Sequence, residues 1–454
     1  MSKIKHLYWR AGFGLSPEEW ELRQNWSTAK AVNQLFKEAN EAPLLQAIHV
    51  VPFSKDLKKS PQKRKMEGKR VGRQNTAWLK RMADPKESAL LERMCLFWHG
   101  HFACQTKLSK FAFEQLNTFR KHALGNFRDL CLAMAKDVSM IRFLNNQQNK
   151  KKKPNENFAR ELMELFTIGR GNYTEQDIKE AARAFTGWSS NLKGEYIFRR
   201  RQHDFGVKKF MGKTGKFNGE DIIDIILERR ETAHFLCTKI YRYFVNEQEV
   251  DQAIINDLAR QFYASDYDIG KLMRRIFTSD WFYAKKNIGT KIKSPVELVA
   301  GISRSMHITY EKEDALIFAQ KALGQRLLNP PNVAGWEGGK AWIDNSTLML
   351  RLNLVGYLLY ASNVDFRTQT NLKAEKPSKA MKRLEATVDL EGLMKLVHKR
   401  SEKDIVEILA DYFIISNSRP DSSLILKHIR ATNKEDFVKV AIARITSLPE
   451  YQLC

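Results

Sequence analysis

At about 100° per residue, Phe158, Leu162, Leu165 and Phe166 fall on one arc of a helical wheel, and Asn157, Arg160, Glu161 and Glu164 fall on the opposite arc. The stretch from Pro154 to Trp188 therefore opens with an amphipathic helix. Pro154 and Asn155 suit its start, because an opening turn has no use for the donor that proline lacks; Gly169 and Gly171 suit its end, because glycine accepts positive φ. A second helix comes next, with Thr174 as cap and Asp177 three residues on, a capping box with a shorter acid than glutamate. Two helices joined by a Gly-rich turn make a hairpin, and the rest of the chain is organised around it.

Similar signals recur along the chain. Ser16-Pro17-Glu18-Glu19 and Ser294-Pro295-Val296-Glu297 are helix starts, since serine can cap and proline fits the first turn. Residues 28–39 are helical in pattern, and the lysine-rich stretch from about 54 to 75 is expected to be a mobile loop. From Asp84 a run of good helix formers leads into Trp98-His99-Gly100-His101-Phe102. Tyr196, Phe198, Arg200 and Gln202 alternate, and glycines come after them at 206, 212, 215 and 219, which predicts a small β-hairpin and loop near 195–218. Gly324 to Trp342 interrupts every helical pattern with two prolines and further glycines. The fold class expected is mainly α, a multi-helix globular array with that small β insertion. A main helical domain spans 1–365, a polar connection 366–385, and C-terminal helices packed on the main domain 386–454.

Composition narrows the class. With 454 residues, 43% hydrophobic and 11% aromatic, the chain is not largely disordered. No apolar run reaches membrane-spanning length, and residues 1–14 lack an apolar export core, so the default expectation is a cytoplasmic protein. Cys95, Cys104, Cys131, Cys237 and Cys454 show no C-x-x-C spacing, which indicates buried or free thiols. The formal charge of +24 would attract an acidic polymer, anionic lipid or nucleic acid. Much of it is local: nine basic residues lie between Lys55 and Arg73, and Lys150 to Lys153 form a second block. Such blocks are also ordinary solvated loops. No recognised nucleic-acid motif accompanies them, so nucleic acid ranks last among the partners.

Three groups of side chains could carry chemistry. Asn157, Arg160, Glu161 and Glu164 form a polar strip; Arg160 and Glu164 can pair at i, i+4, and Glu161 and Glu164 repel at i, i+3. Facing a cleft, such a strip could hold a hard cation or do acid/base work; facing water, it is a solvated surface. His99 and His101 diverge in an unbroken helix, but if Gly100 breaks it they become half of a metal site beside Glu92. His203-Asp204 is a further pair suited to metal, proton transfer or structural bonding. Trp336 and Trp342 could stack a ring substrate or plug the core. Gly206 to Thr214 has one residue too many for a phosphate-binding P-loop.

Together HLYWRAGFG, FWHGHF, PNENFARELMELFTIGRGNYTEQDI, ARAFTGW, HDFG, PPNVAGWEGGKAWI and SLPEYQ resemble a bacterial family catalogued as domain of unknown function number eighteen hundred, in order from about Ile4 to Gln452. The resemblance implies a mainly helical fold and supplies no reaction. It also implies an envelope or extracellular setting and a secreted sulfatase-like partner, although no leader is visible. The family's motif reads FWHNHF, so Gly100 replaces an asparagine here. Two functions remain open. One is a metal-assisted hydrolase with a divalent ion held by His99, His101, His203 and Asp204, proton transfer and anion contact by Glu161, Glu164, Arg160 and Asn157, and substrate on Trp336 and Trp342. The other is a non-catalytic helical scaffold or acidic-polymer-binding protein.

Overall fold

Helix Ala89–His101 is apolar all round, ALLERMCLFWHGH, and a helix without a polar face belongs inside. All its residues except Gly100 are buried in the computed structural model, which describes residues 2–47, 50–51, 60–360, 384, 386–416, 418 and 420–454. Its two charges go in with partners, as burial demands. Glu92 takes the Trp78 indole N–H at 2.8 Å and the Arg120 guanidinium, and Arg93 meets Glu297. Glu297 lies in helix Pro295–Ser305, also buried along its whole length. These two helices form the middle of the core.

The array around them is mainly α, as the periodicity implies. Serine caps and first-turn prolines fall where expected: Ser16 with Glu19 and Ser294 with Glu297 both close complete capping boxes. Among the described residues the β content is two-stranded ladders and isolated bridges, and two of the ladders lie near the expected insertion: Trp188–Ser190 pairs antiparallel with Tyr196–Phe198, and Lys208–Phe210 with Lys213–Gly215. All five cysteines are free and buried. Among the described residues no helix is long and apolar enough to cross a membrane.

The basic stretch expected to be a mobile loop is largely helix. Helix Pro61–Ala83 starts on the Ser60 cap; Glu67, Val71, Asn75, Trp78, Leu79 and Met82 form its buried face, and its lysines point outward. The spacing of those buried residues carries the helix in spite of the charge; residues 52–59 lie outside the described residues. So do 361–383, which contain most of the expected polar connection. The C-terminal helices pack on the earlier chain: Tyr412 Oη donates to Leu15 O at 2.7 Å, and Ser447 Oγ to Leu352 O at 2.7 Å.

Candidate functional site

The organising helix begins at Asn157, whose N–H bonds the Asn155 side chain at 3.1 Å, and winds as an α-helix only to Glu161. Leu162–Thr167 is a π-helix, with Ile168 N–H reaching back to Met163 O at 3.1 Å. The wider turn rotates its residues away from α positions: Met163 is buried, while Leu165 is only partly so. A π turn also leaves carbonyls at its end without helical donors. Three side chains supply them: Lys239 Nζ bonds Leu165 O, His101 Nε2 bonds Phe166 O and Asn172 Nδ2 bonds Ile168 O, each at 2.9 Å. Gly169 and Gly171 close the segment at φ +78° and +87°, and the Thr174–Asp177 capping box opens the next helix, both as the sequence implies.

The polar strip divides. Asn157 turns inward and donates to Leu144 O at 3.1 Å. Arg160 does not pair with Glu164; it bonds Glu175 at 2.8 and 2.9 Å and Glu156 at 3.3 Å. Glu164 instead accepts from Arg170 Nε at 2.5 Å and from the Tyr173 hydroxyl at 3.2 Å. The Glu161 side chain makes no hydrogen bond or ion pair with any described residue, and burial together with the charge of Glu164 raises its pKa.

Beyond Arg170 opens a cleft of about 930 Å³. One wall is helix Arg230–Phe244, which presents Arg230, Glu231, His234, Phe235 and Thr238. The facing wall is helix Gln252–Ala264 with Arg260 and Tyr263, and the floor is the turn Ile168–Asn172. Arg230 lies over the Tyr263 ring at 5.7 Å, and a side chain at Gly169 would strike Phe235 at 2.7 Å, so the turn sits directly on that ring. Below it Lys239 is desolvated, with no carboxylate partner among the described residues, which brings its pKa down to about 8. The cleft is thus aromatic in its walls, and of its rim arginines Arg170 and Arg260 are ion-paired with Glu164 and Asp257 while Arg230 makes no ion pair with a described residue.

The residues expected to share a metal ion are each engaged by other groups. Helix Ala89–His101 runs unbroken through Gly100, so its two imidazoles diverge. His99 accepts the Leu328 N–H at 3.0 Å and packs against Trp78 and Trp336, with ring centroids 5.3 and 5.6 Å away. That bond places its proton on Nδ1, and burial lowers its pKa to about 4. His101 is spent on the π-helix carbonyl. His203 donates Nδ1–H to Thr186 O at 2.8 Å, and Asp204 is bound by Arg183 Nε at 2.8 Å. Among the described residues no group of three or more His, Cys, Asp or Glu side chains is placed to hold a metal ion. The residues present therefore do not fit the expected four-residue centre. The tryptophans also part: Trp342 is buried and its carbonyl accepts from Thr347 Oγ1 at 3.0 Å, whereas Trp336 is only half-buried, against His99.

A family model described as protein of unknown function (DUF1800) matches residues 6–453. The chain belongs to the DUF1800 family. No curated protein and no solved structure matches it. In this DUF1800 chain two motifs far apart in sequence touch: a Cβ at Gly335, φ +80°, would lie 2.6 Å from the Gly100 carbonyl, so the PPNVAGW loop seats on the FWHGHF helix only because glycine stands there. A Cβ on Gly100 itself would meet nothing within 4 Å, so this DUF1800 chain has open space beside the helix at that position. The cleft residues of helix Arg230–Phe244 were missed from sequence. Their spacing at 230, 231, 234, 235 and 238 does mark one helical face.

Proposed function

We propose that the protein is a hydrolase that holds an anionic substrate at Arg170, on the floor of the cleft beside the π-helix, and protonates the departing group from Glu161, which does not line the cleft but feels the charge of the same Arg170. The observation that carries this reading is Glu161 itself. It is a half-buried carboxylate with no partner among the described residues, its pKa raised, on a strip whose other members are all engaged. A carboxyl group whose pKa is raised by desolvation and a like charge is the usual starting point for a general acid. Arg170, Arg230 and Arg260 supply contacts for a negative substrate, and Phe235 and Tyr263 supply faces for a ring. Water adds its oxygen to the substrate, Glu161 gives a proton to the leaving group, and the proton released by that water restores Glu161. No step runs through a metal ion.

The test uses p-nitrophenyl phosphate, sulfate and acetate as probe substrates. Glu161→Gln should abolish whichever hydrolysis the native protein shows and leave the fold intact. Undiminished turnover in Glu161→Gln would sink the proposal.

A second reading, a non-catalytic scaffold, is favoured by the way Asn157, His101 and His203 each satisfy a backbone carbonyl. It expects no turnover of any probe, and loss of stability on replacing those three residues.

A further inference from the structure

Two basic runs that lie about fifty positions apart in sequence are folded into one surface. Lys150 to Lys153 form a tight exposed turn, and the Lys151 N–H donates to Gln202 O at 2.8 Å, which seats the turn against Arg200–Gln202. Arg199, Arg200 and Arg201 are exposed there, as are all four lysines. None of these seven cations makes an ion pair with a described residue. The acids of the same segment are already engaged, Glu195 by Asn191 and Asp204 by Arg183. Within this charge two phenylalanines stand open to water, Phe198 at 43% and Phe205 at 51% exposure, beside Val207 at 55%. They bracket the buried His203 ring, at centroid distances of 5.0 and 4.6 Å, and the Arg200 guanidinium lies 5.5 Å from the Phe205 centroid.

We propose that the turn Lys150–Lys153 and the segment Arg199–Val207 form a docking surface for single-stranded nucleic acid. Unpaired cations at this density call for a ligand with closely repeated negative charge. Exposed phenyl faces, with no polar group of their own, call for flat partners that can stack on them. A single strand offers both, phosphates for the lysines and arginines and unstacked bases for the rings. A duplex keeps its bases stacked on each other, and an acidic glycan carries charge without a π face. The surface is separate from the cleft, and the proposal does not depend on the hydrolytic reading.

The experiment is fluorescence anisotropy with the whole protein and three probes: a fluorescein-labelled thymidine dodecamer, a duplex of the same length, and a heparin oligosaccharide. The single strand should bind best, with log K falling against log salt by roughly 0.7 per phosphate neutralised. Phe198→Ser with Phe205→Ser should weaken the dodecamer by roughly tenfold or more, by the usual worth of base stacking, and leave heparin unchanged. Lys151→Glu with Arg201→Glu should weaken both. All four positions are exposed, so each variant should keep the native melting temperature. The proposal is overturned if the dodecamer does not bind, if heparin or duplex binds better, or if the serine variant holds the dodecamer as tightly as the native protein.

Discussion

Glu161 carries an energetic cost that its neighbours do not. Its pKa is raised in the fold, so its ionisation favours the unfolded chain. At neutral pH the charged side chain therefore subtracts from stability, and the loss disappears as pH falls through the usual glutamate range. Glu161→Gln should melt at the same or a higher temperature than the native protein at pH 7, with the difference vanishing near pH 4. A lower melting temperature at pH 7 would show that Glu161 has a structural partner. If it is the general acid, hydrolysis should also fall as pH rises above its raised pKa. His99 has the opposite sign. An unfolded chain takes up its proton near pH 6.5, whereas the folded protein resists to about pH 4. Acidification between those values should cost up to about 3 kcal/mol of stability. Urea midpoints measured from pH 7 to pH 4.5 check the slope, and an NMR titration placing His99 above pH 6 would contradict it.

At the scale of elements, the π-helix shows what periodicity can and cannot deliver. The wheel placed Phe158, Leu162 and Phe166 in the core, and all three are buried. It also placed Leu165 there. The wheel assumes α winding, and the wider turn moves Leu165 aside and brings Met163 in. Caps were legible because their partners lie three residues away, as in Thr174 with Asp177. The partner of Arg160 was not, because Glu175 comes from the next helix and a pair at i, i+4 is only the nearest of several options. Nor was the role of Lys239, 74 positions from the carbonyl it bonds. Lys239→Met keeps the length of the side chain and leaves Leu165 O without a donor. It should cost about 1–3 kcal/mol and speed hydrogen exchange through residues 162–169 more than in helix Pro295–Ser305. Uniform exchange across both segments would mean that the bond does not hold the π turn.

Across the whole molecule, charges far apart in sequence tie the ends of the chain to its middle. Arg304, buried in helix Pro295–Ser305, bonds both oxygens of Glu19 at 3.0 and 2.7 Å, and its third donor reaches Asp84 O at 2.9 Å. Leu15, at the start of the same N-terminal region, accepts from Tyr412 of the C-terminal helices. No local pattern could have announced contacts across nearly three hundred residues, which is why the helices were legible and their assembly was not. The basic surface has the same origin: its two runs are plain in the sequence, and only the fold makes them neighbours. Arg304→Met should leave the buried Glu19 carboxylate with Arg23, 3.3 Å away, as its one remaining ion-pair partner beside the Ser16 N–H, and cost about 3–5 kcal/mol. Because the N-terminal segments touch both the central helix and the C-terminal helices, the loss should appear as one earlier transition, coincident in tryptophan fluorescence and far-ultraviolet circular dichroism. Two separated transitions would mean that the N-terminal segments unfold on their own, and that Arg304 anchors them locally without tying the ends of the chain together.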